Sequence, residues 1–241
     1  MRPAAAMVGD APVIGANGLG RHVVMIVGSN GTFCTGTAFA RDLVLTAVHC
    51  LARGADYKVV ELGGAAPRLK AIAAIERHPA FTARGMTTHR GTADVALAKL
   101  AAPLPAAIGP AVLGGSDLTA KVGDAFTVVG FGITRAGDPR SGGTIRAAKL
   151  IATGKPDSMD VRLMDPATRN ARAGRGACTG DSGGPVFSDA GGPFAVVGVI
   201  SWTTGPNYTS GCGGITGMTP LARYRGWIVD TARRLGTVLD R

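Results

Sequence analysis

Gly176-Ala177-Cys178-Thr179-Gly180-Asp181-Ser182-Gly183-Gly184-Pro185-Val186 is the stretch on which the fold turns. A serine hydroxyl is a weak nucleophile until a neighbouring base removes its proton. Glycines around it let the backbone turn so that adjacent N–H groups converge on one point, where an oxyanion can be held. Gly180-Asp181-Ser182-Gly183-Gly184 also satisfies G-x-S-x-G, the nucleophile elbow of the α/β-hydrolases. That elbow needs its histidine after the serine, and the last histidine of the chain is His89. Any histidine–serine pair here runs histidine first, so the α/β-hydrolase elbow is excluded.

Upstream, two further segments can supply partners. The chain holds only four histidines, His22, His49, His78 and His89. His49 closes Leu45-Thr46-Ala47-Val48-His49-Cys50, at the end of a strand-like run and beside a cysteine able to anchor its loop. His89 lies in the polar Thr87-Thr88-His89-Arg90-Gly91 stretch without such an anchor and ranks below it, while His78-Pro79-Ala80-Phe81 reads as structural. Thr92-Ala93-Asp94-Val95-Ala96-Leu97 places a carboxylate at the head of an apolar strand. A buried carboxylate is costly unless a donor meets it, and an imidazole N–H is such a donor.

The rest of the chain is punctuated by 37 glycines and 14 prolines, which argues against a helical bundle and for short strands joined by turns. Strand-like runs are Val23–Val27, Leu43–Ala47, Lys58–Leu62, Val95–Leu100, Ala125–Val129 and Ala195–Ile200. None is followed by a helix long enough for a parallel crossover, so sandwiches or barrels are expected. From Leu221 to Leu239 the apolar residues Leu221, Tyr224, Ile228, Ala232, Leu235 and Leu239 recur at helical spacing, predicting one amphipathic helix packed on the body. The expected division is a flexible leader or pro-segment over 1–12, an N-terminal unit over 13–115, a second over 116–220 and the helix over 221–241.

The composition excludes several classes. Hydrophobic residues make up 46% and charged residues 17%, which is not the profile of a disordered chain. No apolar run approaches the ~18 residues of a membrane span. The net charge of +10 is scattered rather than striped and aromatics are only 5%, so specific nucleic-acid binding is not expected. The Met1–Met7 stretch lacks the apolar core of a full signal peptide, so the chain is expected in mature or trimmed form. The four cysteines, Cys34, Cys50, Cys178 and Cys212, form no C-x-x-C pair, which argues against a zinc site. An even count suits two disulfides and an oxidising compartment, with buried free thiols as the other reading.

Taken together, Leu45–Cys50, Asp94–Leu97, Gly180–Pro185 and Ser201-Trp202 resemble the trypsin-like (chymotrypsin-fold) serine proteases, over roughly residues 13–239. Val48 stands where alanine is more usual. The resemblance implies an all-β fold of two packed antiparallel β-barrels with a C-terminal α-helix. It makes His49 the general base, Asp94 its orienting partner and Ser182 the nucleophile, with the N–H groups of Gly180 and Ser182 as the oxyanion hole. It pairs Cys34 with Cys50 and Cys178 with Cys212. It calls for no cofactor and no metal. The implied partners are a polypeptide substrate and protein inhibitors, and the implied protein is a secreted or periplasmic monomer.

Specificity and activation follow from the same resemblance. Gly176 falls at the floor of the pocket for the substrate side chain, where no carboxylate would meet a Lys or Arg. Ser201, Trp202 and Thr203 form the strand that pairs with the substrate backbone, and Thr203 replaces a frequent glycine and narrows the pocket. Small or medium uncharged side chains are therefore expected. Val13-Ile14-Gly15-Ala16 looks like the segment whose freed N-terminus pairs with the aspartate before the nucleophile, here Asp181; the other reading is that side-chain or backbone donors hold Asp181, as in family branches without this switch. A catalytically silent homologue acting as a binding module is the competing class; intact His49, Asp94 and Ser182 argue against it.

Overall fold

A computed structural model describes residues 7–61, 67–87, 91–117, 119–154, 159–189 and 194–239. Six strands close a first antiparallel barrel: β1 (Val23–Gly28), β2 (Phe33–Ala40), β3 (Leu43–Thr46), β4 (Tyr57–Glu61), β5 (Arg68–Arg77) and β6 (Ala96–Leu100). Their order around the barrel is β1-β2-β3-β6-β5-β4. The β-branched run of β1 turns into β2 through a hairpin in which Gly31 takes a φ of +83°, a left-handed conformation suited to glycine. A short helix α1 (Ala83–Thr87) lies between β5 and β6. The loop carrying His89 lies outside the described residues.

The second barrel follows β7 (Val112–Leu113). Its strands are β8 (Ala125–Gly130), β9 (Arg146–Thr153), β10 (Val161–Met164), β11 (Pro185–Ser188), β12 (Ala195–Thr203) and β13 (Ile215–Pro220). They run β11-β8-β9-β10-β13-β12, the β11–β12 pairing closes the ring, and β7 adds to β12 in parallel. Closure removes the free sheet edges that would invite aggregation. The fold class is thus the one the sequence implied: two antiparallel barrels and a C-terminal helix.

The cores are continuous where the barrels meet. Phe131, Phe187, Val129 and Val199 of the second half pack in one apolar cluster with Leu43, Leu45, Cys50 and Leu97 of the first. Burying such side chains contributes roughly 1.5–3 kcal/mol each, which is what fixes the two barrels against one another.

Two expectations need correction. The helix α2 spans only Arg225–Arg234, preceded by a 3-10 turn over Ala222–Tyr224. Its end is set by Gly236 at φ +76°, with Gly236 N–H bonded to Arg233 O and Thr237 N–H to Ala232 O. This is the glycine-terminated cap that stops a helix while the apolar spacing continues past it. Leu221, Tyr224, Ile228, Ala232 and Leu239 are all buried, so the periodicity reported the packed face rather than the helix length.

The expected flexible leader is not free over residues 7–12. Met7 is fully buried and Ala11 nearly so, both in the apolar cluster of the second barrel. Val8 bridges Gly176 and Val13 bridges Arg146. The Arg146 guanidinium donates to Ala11 O at 2.9 Å, and Ala147 N–H donates to Pro12 O. Two buried apolar side chains and these backbone bonds outweigh the entropy of a loose end. Residues 1–6 lie outside the described residues.

Candidate active site

His49 sits in a 3-10 turn (Val48–Leu51) immediately after β3, and Asp94 lies on the approach to β6. Because β3 and β6 are paired, with Thr46 opposite Ala96, the two residues emerge at the same end of the barrel. The Asp94 carboxyl is fully buried. It accepts from His49 Nδ1 at 2.7 Å on Oδ2 and from the His49 backbone N–H at 3.1 Å on Oδ1. This double contact fixes the ring and its tautomer, with the proton on Nδ1 and the lone pair on Nε2. The Ser201 hydroxyl adds a third bond, donating to Asp94 Oδ2 at 2.6 Å.

The Cys34–Cys50 disulfide anchors the histidine turn to β2, and Cys178–Cys212 ties the nucleophile segment to the loop before β13. Cys34, His49 and Cys50 gather within 4.8 Å, but both sulfurs are spent in the disulfide, so this is not a metal-ligand set. Cys50 Sγ lies 3.8 Å from His49 Nε2 and 3.5 Å from Ser182 O, so the serine and the imidazole flank the same sulfur. Among the described residues the Ser182 hydroxyl makes no hydrogen bond to His49. Such bonds are often long without substrate and tighten in the complex.

Around Ser182 the backbone N–H groups divide into two sets. Those of Asp181, Gly183 and Gly184 are bonded to Cys178 O, Ile200 O and Asp181 O. Those of Gly180 and Ser182 have no acceptor among the described residues. Gly180 has φ +94°, and a Cβ there would collide with the Phe33 ring. The arrangement therefore offers two free donors beside a hydroxyl, the geometry an oxyanion requires.

Asp181 points away from this cleft. It is fully buried and accepts from Cys178 N–H and Gly132 N–H, both at 2.8 Å. Burial pushes its carboxyl up to about 7 against the pull of those two donors. Val13, expected to pair with it through a freed N-terminus, is 55% exposed in the uncut chain and bridges Arg146 of β9. Freeing Val13 would strip Met7 and Ala11 from the second core. The buried residue is Met7, at the head of Met7-Val8-Gly9-Asp10.

The residues expected on the substrate side lie at one end of the Gly176–Val186 segment. Gly176 is paired with Val8, and a Cβ on it would touch Thr216 Oγ1 at 3.3 Å. Thr203 Oγ1 lies 2.9 Å from Ala177 O and 3.1 Å from Ile215 O, so its side chain spans from β12 to the nucleophile segment. Trp202 covers Gly217, where any Cβ would meet the indole, and the Arg162 guanidinium lies 5.8 Å from the ring centre. Beyond Thr179, on the other side, Met25, Phe33, Ile133 and Pro139 line an apolar cavity of about 580 Å³. His78 packs against Tyr224 and Trp227, with ring centres 5.0 and 4.9 Å away.

The Trypsin family profile matches residues 14–228. The chain belongs to the trypsin family of serine proteases. Trypsin epsilon of Drosophila erecta is 26% identical over 232 residues, covering 84% of this chain and 79% of its own. Trypsin of Sarcophaga bullata is 27% identical over 219 residues, covering 84% and 80%. Among solved structures, human heparin binding protein superposes with a TM-score of 0.72 at 20% identity, over 94% of this chain and 97% of its own. Neuropsin from mouse brain gives 0.71 at 21%, over 93% and 99%. In this trypsin-family chain, the side-chain contributions of Thr35, Ser201 and Met7 were not read from sequence. Their hydrogen bonds and burial link residues far apart along the chain.

Proposed function

We propose that the protein is an endopeptidase in which Ser182, His49 and Asp94 act as one unit. The observation that carries this is the fully buried Asp94 holding the His49 ring through Nδ1, with Nε2 3.8 Å from the Cys50 sulfur that also lies 3.5 Å from Ser182 O. His49 Nε2 takes the Ser182 proton as the oxygen attacks the peptide carbonyl carbon. The carbonyl oxygen, now negative, is met by the N–H groups of Gly180 and Ser182. Collapse of the adduct breaks the C–N bond, and His49 delivers its proton to the departing amine. Water then repeats the sequence on the acyl-enzyme, releasing the acid and restoring Ser182. No metal or cofactor enters these steps.

The acyl-side residue of the substrate sits between Gly176, Ala177 and Thr203, and small or medium uncharged side chains are preferred. Thr203 reaching to Ala177 O supports this reading, as does the lack of a carboxylate at Gly176. The apolar cavity by Phe33 takes the amine side of the cut bond. The two disulfides fit a secreted or periplasmic setting.

Activation is assigned to a new N-terminus at Met7. Its left-handed φ of +47° is unfavourable for a residue with a side chain, and that torsion ceases to exist once the bond before Met7 is cut. Met7 packs with Ala177 in one core cluster, next to Cys178, whose N–H holds Asp181. An ammonium formed there gives the buried Asp181 carboxylate its counter-charge.

A fluorophosphonate probe tests the central reading. Labelling of the wild type processed to Met7 and loss in Ser182→Ala is expected; processed wild type that neither labels nor cleaves casein overturns it. N-terminal sequencing of active material should begin at Met7, and full activity with Met1 attached would remove the activation step.

A further inference from the structure

The nucleophile segment is held from the opposite barrel by one side chain that the reaction scheme does not use. Thr35 lies in β2, between the disulfide residue Cys34 and Gly36, and is fully buried. Its backbone N–H donates to Ser182 O at 2.8 Å. Its hydroxyl donates to Gly180 O at 2.8 Å and accepts from Phe131 N–H at 3.1 Å. An amide N–H can only donate, so the hydroxyl proton is committed to Gly180 O. Thr35 O in turn accepts from Thr46 Oγ1 at 2.8 Å, which fixes Thr35 itself against β3.

The Thr35 hydroxyl thereby holds the Gly180–Asp181 peptide, which joins the Thr179–Gly180 and Asp181–Ser182 peptides that carry the two free N–H groups. Gly180 needs this most. It carries no Cβ and sits at φ +94°, so nothing of its own restrains rotation of its neighbouring peptides. The Thr179–Gly180 peptide is held separately, Thr179 O accepting from Ile133 N–H at 2.8 Å. Rotation of the Gly180–Asp181 peptide would carry the two flanking N–H groups off a common point, opposing the reaction. A Cβ on Gly183 would collide with Thr35 O, and one on Gly184 would lie 3.2 Å from Thr35 Cγ2.

We propose that the Thr35 hydroxyl is a positioning residue of the oxyanion site, setting the Gly180 peptide from across the barrel interface. The inference rests on the serine-protease mechanism proposed above. It acts through the transition state, so it predicts an effect on kcat rather than on KM.

Thr35→Val keeps shape and removes the hydroxyl; Thr35→Ser keeps the hydroxyl. Steady-state hydrolysis of a peptide ester and inhibition by a matching peptide aldehyde are measured for each, alongside thermal unfolding. Thr35→Val is expected to lower kcat by roughly tenfold or more with KM within about twofold, and to weaken the aldehyde by the same factor. Thr35→Ser is expected to restore both to within about threefold. If Thr35→Val does not fold, Thr35→Ala carries the same comparison without overpacking. An unchanged kcat in the folded Val or Ala variant overturns the proposal, as does failure of a stably folded Ser variant to recover it. Failure of both hydroxyl-free variants to fold overturns it too, because the hydroxyl would then be a general requirement of the fold. A wild type processed to Met7 that is not labelled by fluorophosphonate sinks the mechanism and this inference together, whereas labelled wild type with an indifferent Thr35 sinks only the latter.

Discussion

Ser201 Oγ donates to Asp94 Oδ2 at 2.6 Å, on the same oxygen that receives His49 Nδ1 at 2.7 Å. The donor comes from β12 of the second barrel and the acceptor from the first, so the base-orienting carboxylate is itself fixed across the interface. Ser201→Ala leaves this buried oxygen one donor short, which costs about 1–3 kcal/mol. A fall in kcat/KM of roughly tenfold is expected, carried by kcat, because the imidazole is less firmly aimed. Steady-state kinetics on a small peptide ester check it.

Asp181 makes stability depend on pH. Its carboxyl has an ordinary value of 3.8 and is pushed up to about 7 in the folded chain. Below about pH 4 it is protonated in both states. Between about 4 and about 7 only the unfolded chain has released the proton, so stability falls as pH rises, and above about 7 the loss is complete. The ceiling is about 4 kcal/mol, from roughly three units at 1.36 kcal/mol each. Urea unfolding of the chain with residues 1–6 attached should show this slope, and Asp181→Asn should remove it. Cleavage before Met7 should flatten it, since an ammonium favours the ionised carboxyl.

In the proposed substrate pocket, the Thr203 side chain spans to Ala177 O at 2.9 Å. Thr203→Gly removes that span. Relative kcat/KM for peptides with Phe or Leu before the cut bond, against Ala, should rise by roughly tenfold. A peptide series differing only at that residue measures the ratio. Dominant cleavage after Lys or Arg in the wild type would contradict the pocket assignment.

Glycines test the packing around Asp181. A Cβ at Gly132 would lie 2.5 Å from the carboxyl, with Asp181 walled in on every side. Gly132→Ala should destabilise by roughly 2 kcal/mol or more and depress activity through the nucleophile segment. Gly54 also resists a side chain, at φ +89°, but has open space around it. Gly54→Ala should lose only about 1 kcal/mol of conformational strain and leave activity intact, as denaturant titration paired with an activity assay would report.

The legible part of the site was the part written locally. Gly180–Pro185 announced a glycine-wrapped serine, and Val48-His49-Cys50 announced an anchored histidine, because turn-forming and bridging residues stand beside the chemistry they serve. The fold class followed from the order of those segments and from short strands bounded by glycine. The helix end was misread because apolar spacing continues through Gly236 to Leu239, and packing, not helix, accounts for the last step. The leader was misread because Met7 and Ala11 look like any small apolar tail until the core that receives them exists.

By itself the chain determined which groups are available: one serine among glycines, one histidine beside a cysteine, one aspartate at a strand head, and the order that forbids a hydrolase elbow. Only tertiary structure decided who touches whom. That Thr35 holds Gly180, that Ser201 reaches Asp94 and that Met7, not Val13, is buried all depend on closing two barrels and pressing them together. Such contacts join residues remote in sequence, and their energies come from burial and geometry that no local pattern encodes.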